Sequence, residues 1–536
     1  QCSLCRNRKK GSSPALRHQQ NMKVLLPLLL VLYSTHVPGQ SYNPDIDVQH
    51  YDFSLQVNDT SDRITGQAAV TIIFKTRTDS FSLDLSEAMH VSSVKQNNKP
   101  LKFSQTKDRL IIRTSKAKSA QATFTIRYEG IPTDGLIISQ NKFGHLGFFG
   151  DNWPNRAHNW LPCVDDPSDK ATLDWHITAP DHYTVVANGA LQTEKSRPGH
   201  LKTTHWKESV PLSPKIMVIG IADFAVDHPG DVEGTPVYNY VYPENKDMGF
   251  HAYAHALQIL PFYIHHIGPY PFEKCGNVQS KTRFGGLENA GAIFYYENSV
   301  SSPGIESLMA HEIAHQWFGD AATETEWQHL WLSEGFATYM THCYLENKYG
   351  PDTLKAGMKK DRDQVINFEK KRLAPVIDTS IKEDYMQLLN PNSYQKGSWV
   401  LHMLRRKIGD SLFWKGISTY YTTYRNKNAS TEDLEIIMDS VSGRDLNTFF
   451  HQWLYTAGHP SLKLEWHYDT ANSALYITST QLQSIPYTFP LELSIDGTLY
   501  TMEITAKINQ VRIPLVGEPG TVIPDPNTNI LADFSY

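Results

Sequence analysis

The chain has 536 residues, a formal net charge of -6 and 40% hydrophobic residues. This length corresponds to about three or four domains of roughly 100 to 200 residues each, and the composition is that of a folded protein rather than a disordered one. The weak negative charge, without long runs of one sign, argues against binding to nucleic acid or to an anionic membrane surface.

The first forty residues have the pattern of a targeting segment. Met22 and Lys23 precede the apolar run VLLPLLLVLY, residues 24–33, and a polar stretch rich in small residues follows. We interpret residues 22–40 as a signal peptide and residues 1–21 as non-native or upstream sequence. Ten apolar residues are far fewer than the ~20 needed to span a bilayer. The pattern therefore favours a secreted or periplasmic protein, without a stable membrane span in the mature chain, over a membrane-anchored form.

Period-two alternation predicts an antiparallel β domain over residues 41–240. In QATFTIRY, residues 121–128, apolar side chains alternate with polar ones, as in a strand with one buried face. Glycine, proline, asparagine and aspartate clusters separate such runs, which is typical of turns between strands.

From residue 241 to 457 the apolar period lengthens to that of a helix. Segments such as IESLMAHEIAHQWFG and SYQKGSWVLHMLRRKIG carry apolar residues at helical spacing and end at glycine, as helices commonly do. Ser430 with Asp433 indicates a helix N-cap, and Gly443 indicates the end of that helix. We predict a mainly helical domain here.

Within this region, the stretch RFGGLENAG, residues 283–291, combines two glycines with an acidic residue. The pair Gly285 and Gly286 allows a backbone to come close to a ligand, and an extended substrate could add to such a segment as an extra strand. Glu288 would then offer a negative charge to a peptide's free α-ammonium group. Taken alone, however, this pattern is more often a simple turn.

Twenty residues further on, HEIAH places His311 and His315 one helical turn apart, so both imidazoles can reach one cation. Catalytic zinc needs a third protein ligand and an open position. Glu334, with eighteen residues between it and His315, can return on a second antiparallel helix. Glu312 lies on the same face, where it could act as a general base. The competing reading is a helix with solvated polar residues.

The alternation of apolar and polar residues returns after residue 457. In SLKLEWHY the apolar residues Leu462, Leu464 and Trp466 alternate with polar ones, and strand-like runs recur to the end of the chain. Residues 458–536 suffice for a small β-sandwich.

The succession GGLENAG, HEIAHQWFGD and WLSEGFATY resembles the zinc aminopeptidase family that includes aminopeptidase N and leukotriene hydrolase. Its signature is HExxH, eighteen residues and a glutamate, preceded by a GxMEN motif in which this chain has Leu287 in place of methionine. RAHNWLPCVDDPSDKATLDWHITAP and YQKGSWVLHMLR extend the resemblance over residues 43–460. It implies an α+β multidomain fold: an N-terminal antiparallel β domain, a thermolysin-like and mainly helical catalytic domain, and a small C-terminal β-sandwich.

The resemblance also implies roles for the metal-site residues. His311, His315 and Glu334 would bind one zinc ion per chain, and Glu312 would be the general base toward zinc-activated water. Tyr394, in NSYQKGSW, would stabilise the oxyanion, a role that rests on the resemblance alone.

Further residues would bind the substrate. Glu288 would hold the amino terminus, with Gly285 and Gly286 along the peptide backbone. Asp151, in FFGDNWPN, is the candidate for a second group that holds the amino terminus, although the spacing around it does not match the family cleanly.

The resulting prediction is a zinc-dependent aminopeptidase that hydrolyses the N-terminal residue from peptides with a free amino terminus. A thermolysin-like endopeptidase is one alternative, which the acidic residue in GGLENAG argues against. Epoxide hydrolysis, found in one branch of the family, has no specific support in this sequence. A non-catalytic surface binding protein would have no need for the complete set of site residues. The sequence leaves the oligomeric state open, with a homo-oligomer among the alternatives.

Overall fold

The computed structural model describes residues 45–536. The expected signal peptide and the residues before it lie outside this range. In the described part of the chain, β strands come first, a mainly helical region with one mixed sheet follows, and a second β region ends the chain. The predicted fold class is confirmed.

The N-terminal region is built from fifteen strands. Eight of them form one large sheet in the order β13-β14-β11-β1-β2-β8-β4-β5, and two smaller sheets, β3-β7-β6 and β12-β15-β10-β9, complete the region. The strands are β1 (Ile46–Asn58), β2 (Ser61–Phe74), β3 (Thr78–Asp84), β4 (Met89–Gln96), β5 (Lys99–Pro100), β6 (Phe103–Thr106), β7 (Arg109–Lys116), β8 (Gln121–Gly130), β9 (Leu136–Gln140), β10 (Leu146–Gly150), β11 (Ala171–Pro180), β12 (Thr184–Ala187), β13 (Ala190–Arg197), β14 (Leu201–Leu212) and β15 (Ile219–Ala222).

Alternation along these strands buries one face of the large sheet. Phe53 on β1 and Trp175 on β11 are fully buried and their rings stack. The residues directly before and after each of them are only partly buried, because successive side chains on a strand point to opposite faces. The sheet is antiparallel apart from the pair β1–β11, which is parallel, with Asp52 opposite Asp174.

The helical region contains a five-stranded mixed sheet, β16-β17-β18-β20-β19, and a short two-stranded one. Its strands are β16 (Ala225–Val232), β17 (Thr235–Val241), β18 (Cys275–Ser280), β19 (Gly286–Leu287), β20 (Ala292–Tyr296), β21 (Ala322–Glu324) and β22 (Lys427–Ala429). Its helices are α1 (Lys246–Tyr253), α2 (Ala256–His266), α3 (Ile305–His315), α4 (Trp331–Tyr349), α5 (Pro351–Glu369), α6 (Gly397–Ile408), α7 (Asp410–Tyr424), α8 (Thr431–Ser442) and α9 (Asn447–Phe450).

The five-stranded sheet crosses the boundary expected at residues 240/241. β16 and β17 precede that boundary almost entirely, yet β17 pairs in parallel with β18 of the helical region. Alternation in sequence marks a strand but does not say which sheet it joins, so the expected boundary divides this sheet. A division between β15 and β16 keeps each described sheet whole.

The C-terminal region contains two sheets, β27-β24-β23-β29 and β26-β25-β28. The strands are β23 (Ser461–Asp469), β24 (Ala474–Gln481), β25 (Phe489–Ile495), β26 (Thr498–Ile504), β27 (Ile508–Pro514), β28 (Val522–Pro524) and β29 (Asp533–Ser535). One continuous cluster of buried apolar side chains extends from Ile46 to Ala532. Across residues 45–536, no helix combines the length and the apolar character that crossing a bilayer requires.

Candidate metal centre

Helix α3 carries His311, Glu312 and His315. Ile305, Met309 and Ile313 are buried at helical spacing and pack the helix against its neighbours. The chain after the helix turns at Gly319, whose φ is +109°. A Cβ at that position would lie 2.1 Å from Ser333 Oγ, so glycine lets the end of α3 lie directly against α4.

Helix α4 brings Glu334, the third predicted ligand, to the histidine pair. It begins at Trp331 and packs against α3, which places Glu334 in its first turn beside both imidazoles. Glu334 Oε2 lies 3.4 Å from His311 Nε2 and 3.2 Å from His315 Nε2, and the two nitrogens are 3.1 Å apart. Ligand atoms of a tetrahedral zinc ion with bonds of 2.0–2.1 Å are about 3.3 Å apart. The three side chains therefore fit a zinc ion.

The contacts of His315 select the tautomer that metal binding needs. Its Nδ1 lies 3.2 Å from the carbonyl oxygen of Phe318 and 3.0 Å from Ser333 Oγ. Because a carbonyl oxygen only accepts hydrogen bonds, Nδ1 carries a proton, which leaves Nε2 as the nitrogen that faces Glu334 and His311 and can bind a metal ion. Ser333 is fully enclosed between the two helices.

The electrostatics of the centre call for a cation. Burial raises the pKa of Glu312 well above its ordinary value, and burial likewise raises the pKa of Glu288. Burial alone would lower the pKa of His315, but Glu334, Glu288 and Glu312 outweigh it and raise that pKa to about 10. Burial would also raise the pKa of Glu334, yet His315 and His311 hold it below its usual range. Three buried carboxylates beside two imidazoles are the environment that a divalent ion stabilises.

Glu288 follows β19, the edge strand of the mixed sheet. Its side chain is 4% exposed, and its Oε1 has no hydrogen-bond partner among the residues that the structure describes. Its backbone carbonyl accepts a hydrogen bond of 2.6 Å from Gln316 Nε2, and Gln316 Oε1 accepts one of 2.9 Å from the N–H of Gly291. Gln316, directly after the second histidine, thus ties this segment to α3.

Gly285 and Gly286 differ in their position relative to the cavity. A Cβ at Gly286 would lie 2.2 Å from Glu312 Oε1, so the carboxylate of Glu312 rests against the backbone of β19 because no side chain intervenes. Gly286 lines the cavity in front of the metal ligands. Gly285 is exposed and outside this lining, and its carbonyl accepts a hydrogen bond from the N–H of Tyr296.

Tyr394 lies in a short π-helical turn, Asn392–Lys396, ahead of α6. Such turns occur frequently at functional sites. The Tyr394 ring is nearly parallel to that of His311, with centroids 6.1 Å apart, and both rings line the cavity. Burial, followed by Glu334 and the other carboxylates, raises the pKa of Tyr394 well above its ordinary value, so the phenol keeps its proton and is a hydrogen-bond donor.

Asp151 does not join the other predicted residues. Its Oδ1 pairs with Arg156, and its Oδ2 accepts hydrogen bonds of 3.1 Å from Thr282 Oγ1 and from the N–H of Arg283. Both oxygens are engaged and the residue does not line the cavity, which conflicts with the expected contact to an amino terminus. Asp151 instead fixes the loop that precedes Gly285.

The cavity in front of the ligands is small, about 60 Å³. Its polar wall consists of the predicted residues, and its apolar wall consists of Trp153, Phe284, Leu287 and Leu389. Phe284 and Leu287 belong to the glycine-rich stretch, whereas Trp153 and Leu389 come from distant segments that no local motif marks as cavity residues.

Comparisons with known proteins agree with this geometry. The model of the peptidase M1 N-terminal domain matches residues 47–214, and that of the peptidase family M1 domain matches residues 251–453. Together they match more than half of the chain.

Individual relatives are aminopeptidases by name. Aminopeptidase M1-C from Oryza sativa subsp. japonica is 29% identical over 327 residues, 58% of this chain and 37% of the relative. Probable aminopeptidase 2 from Sulfurisphaera tokodaii is 25% identical over 438 residues, 78% of this chain and 55% of the relative. The chain thus spans between about a third and a little over half of the length of these curated relatives.

Solved structures share the fold. A variant of the M1 zinc metallopeptidase from Deinococcus radiodurans superposes with a TM-score of 0.65 at 24% identity, covering 76% of this chain and 94% of the other. Legionella pneumophila aminopeptidase A, solved with aspartic acid, gives a TM-score of 0.79 at 18% identity, covering 92% of this chain and 60% of the other.

Proposed function

Because this chain belongs to peptidase family M1, we propose that it is a zinc-dependent aminopeptidase. In this proposal it removes the N-terminal residue from peptides with a free amino terminus. The observation that carries the proposal is the pairing of two features in one cavity. The first is the triangle of His311, His315 and Glu334 ligand atoms, with edges of 3.1–3.4 Å. The second is the Glu288 carboxylate oxygen Oε1, which has no hydrogen-bond partner in the part of the chain that the structure describes.

His311, His315 and Glu334 would hold the zinc ion. A zinc ion supplies Lewis acidity, which polarises a carbonyl group and acidifies water at neutral pH. The contact of His315 Nδ1 with the Phe318 carbonyl would orient this ligand with its Nε2 toward the ion.

Glu312 is our candidate for the general base. It follows the first histidine on α3, lines the cavity with the ligands, and lies against Gly286 of β19. A substrate backbone along the free edge of β19 would therefore pass within reach of its carboxylate. Glu312 takes a proton from the attacking water molecule and passes it to the leaving amine.

Glu288 would make the enzyme an exopeptidase. A buried carboxylate oxygen without a partner is costly, and a substrate α-ammonium group would satisfy it with a charge-assisted hydrogen bond. This contact ends the substrate at its first residue. Tyr394, protonated and beside His311, would donate a hydrogen bond to the developing oxyanion.

Metal analysis combined with reconstitution tests this proposal. The purified chain should contain zinc, lose turnover of an aminoacyl amide when the zinc is removed by a chelator, and regain it when zinc is added back. Turnover that persists in metal-free protein would contradict the proposed chemistry. A zinc-loaded chain without turnover of any N-terminal aminoacyl amide would favour a binding protein instead.

A further inference from the structure

A second group of metal-binding side chains lies on the large N-terminal sheet, in a different region from the candidate centre. Asp174 and His176 are two residues apart on β11, so both point to the same face. His205 on β14 is the direct cross-strand partner of His176. One ligand atom from each of the three residues lies within 4.8 Å of those of the other two.

This face of the sheet points away from the core. Leu173 and Trp175, which alternate with the cluster on β11, are fully buried, whereas the side chains of His176 and His205 are 33% and 24% exposed. His176 also lines a wide surface concavity of about 950 Å³. A hydrated cation can therefore reach the cluster from solvent.

Two neighbouring residues on β1 support the cluster. His50 Nε2 lies 3.4 Å from Asp174 Oδ2, and Asp52 Oδ1 lies 3.7 Å from His176 Nε2. His205 Nε2 lies 2.5 Å from Asp174 Oδ1. Both oxygens of Asp174 thus face an imidazole, and an outer residue that holds a ligand in place is typical of built metal sites.

The rings of His176 and His205 are stacked, with centroids 4.1 Å apart and an angle of 21° between them. The nitrogen lone pairs of an imidazole lie in the plane of its ring, so at least one of the two stacked rings must turn before both can bind one ion. The carboxylate of Asp174 would offset part of the charge of that ion. Two imidazole nitrogens with one carboxylate form a ligand set that suits zinc.

We propose that Asp174, His176 and His205 bind a second zinc ion, which joins β11 to β14 on the outer face of the large sheet. The ligand atoms lie within 4.8 Å of one another, and His205 Nε2 is 2.5 Å from Asp174 Oδ1, whereas those of a zinc ion with tetrahedral geometry are about 3.3 Å apart. The partly exposed side chains must therefore rearrange as the ion binds. This site is consequently weaker than the one on α3 and α4, and it fills after it.

Zinc stoichiometry tests the proposal. Equilibrium dialysis of the full chain against micromolar free zinc near pH 7.5, where free imidazole is largely neutral, should give two zinc ions per chain. The Glu334→Gln variant should lose the tighter one and keep the other. The double variant His176→Gln with His205→Gln should bind one ion and retain wild-type turnover. Because the two ions are counted separately, failure of either site is distinguishable from failure of the other.

A matched control separates this site from any exposed histidine beside acids. His182 lies 2.9 Å from Asp223 and 3.6 Å from Asp59, but within residues 45–536 it is not part of a group that includes a second imidazole. The His182→Gln variant should therefore still bind two ions. A wild-type chain that binds one ion, or a double variant that still binds two, would overturn the proposal.

If the double variant does not fold, the wild-type chain provides the test. Zinc bound at the proposed site should slow modification of His176 and His205 by diethyl pyrocarbonate, measured by peptide mass, relative to modification of His182. Equal modification of all three histidines with and without zinc would overturn the proposal.

Discussion

Replacing Glu288 by glutamine removes one negative charge and preserves the shape of the side chain. The carboxylate is 4% exposed and its Oε1 has no hydrogen-bond partner in residues 45–536, so a substrate ammonium group would be its main partner. A hydrogen bond to a charged group contributes ~1.5–3 kcal/mol. Its loss predicts a decrease of about 10- to 150-fold in kcat/KM for peptides with a free amino terminus.

The assay compares each aminoacyl amide with its N-acetylated form. In the Glu288→Gln variant, the decrease should fall on the free-terminus substrates and leave the slow background on acetylated ones unchanged, with zinc content as in the wild type. Glu297→Gln is a suitable control. Glu297 is equally buried near the end of β20 in the same sheet, but it is already paired with Lys281 Nζ at 2.7 Å.

The expected decrease depends on the charge of the substrate's amino terminus rather than on the shape of the cavity. If Glu288→Gln slows free and acetylated substrates by the same factor, or slows neither, Glu288 does not bind the amino terminus. If the Glu288→Gln variant keeps the wild-type preference for substrates with a free amino terminus, the proposed role of Glu288 is likewise wrong.

Three other substitutions test the remaining parts of the account. Glu312→Gln should retain zinc and lower kcat by about 10²- to 10⁴-fold, as expected for loss of a general base. Ser333→Ala should weaken zinc binding by about 10- to 100-fold, because it removes the contact of Ser333 Oγ with Nδ1 of His315. Asp169→Asn should flatten the pH dependence of stability: burial, with Asp47 next, raises the pKa of Asp169 to about 8. A carboxylic acid whose pKa is higher in the folded state favours folding below its unfolded pKa of about 4, and this stabilisation is lost as the pH rises toward 8.

Each of these predictions has its own readout and its own contrary result. Metal analysis with single-turnover rates checks Glu312→Gln, and a variant with wild-type turnover would exclude Glu312 as the base. Competition with a zinc chelator measures the affinity of Ser333→Ala, and unchanged affinity would show that the Phe318 carbonyl orients His315 alone. Denaturant unfolding at a series of pH values compares Asp169→Asn with wild type, whose stability should fall by up to about 1.4 kcal/mol more per pH unit in this window. If the stability of Asp169→Asn changes with pH in the same way as that of the wild type, the raised pKa of Asp169 is contradicted.

The parts of the site that the sequence predicted are those determined by local geometry. His311 and His315 are one turn apart on any helix, and Glu334 needs only a short connection and an antiparallel helix to reach them. The β regions were predictable for the same reason, since alternation along a strand reflects its buried face. Glu288 and Tyr394 lie at the cavity as the family resemblance implied.

Long-range packing determined what the sequence did not predict. Trp153 and Leu389 reach the cavity from distant segments, and only the three-dimensional fold brings them together. Asp151 lies in the expected part of the chain, but Arg156 and the loop at Thr282 occupy its carboxylate. The pairing of β17 with β18, which crosses the expected domain boundary, likewise depends on contacts between strands far apart in sequence.

The most direct test of the aminopeptidase assignment is the cleavage of matched aminoacyl amides by the wild-type chain. Each substrate is supplied with a free and with an N-acetylated terminus, first with zinc bound and then after chelation. We expect cleavage of the free-terminus substrates only, its loss on chelation, and its return with added zinc. Equal cleavage of acetylated substrates would contradict the account and favour an endopeptidase.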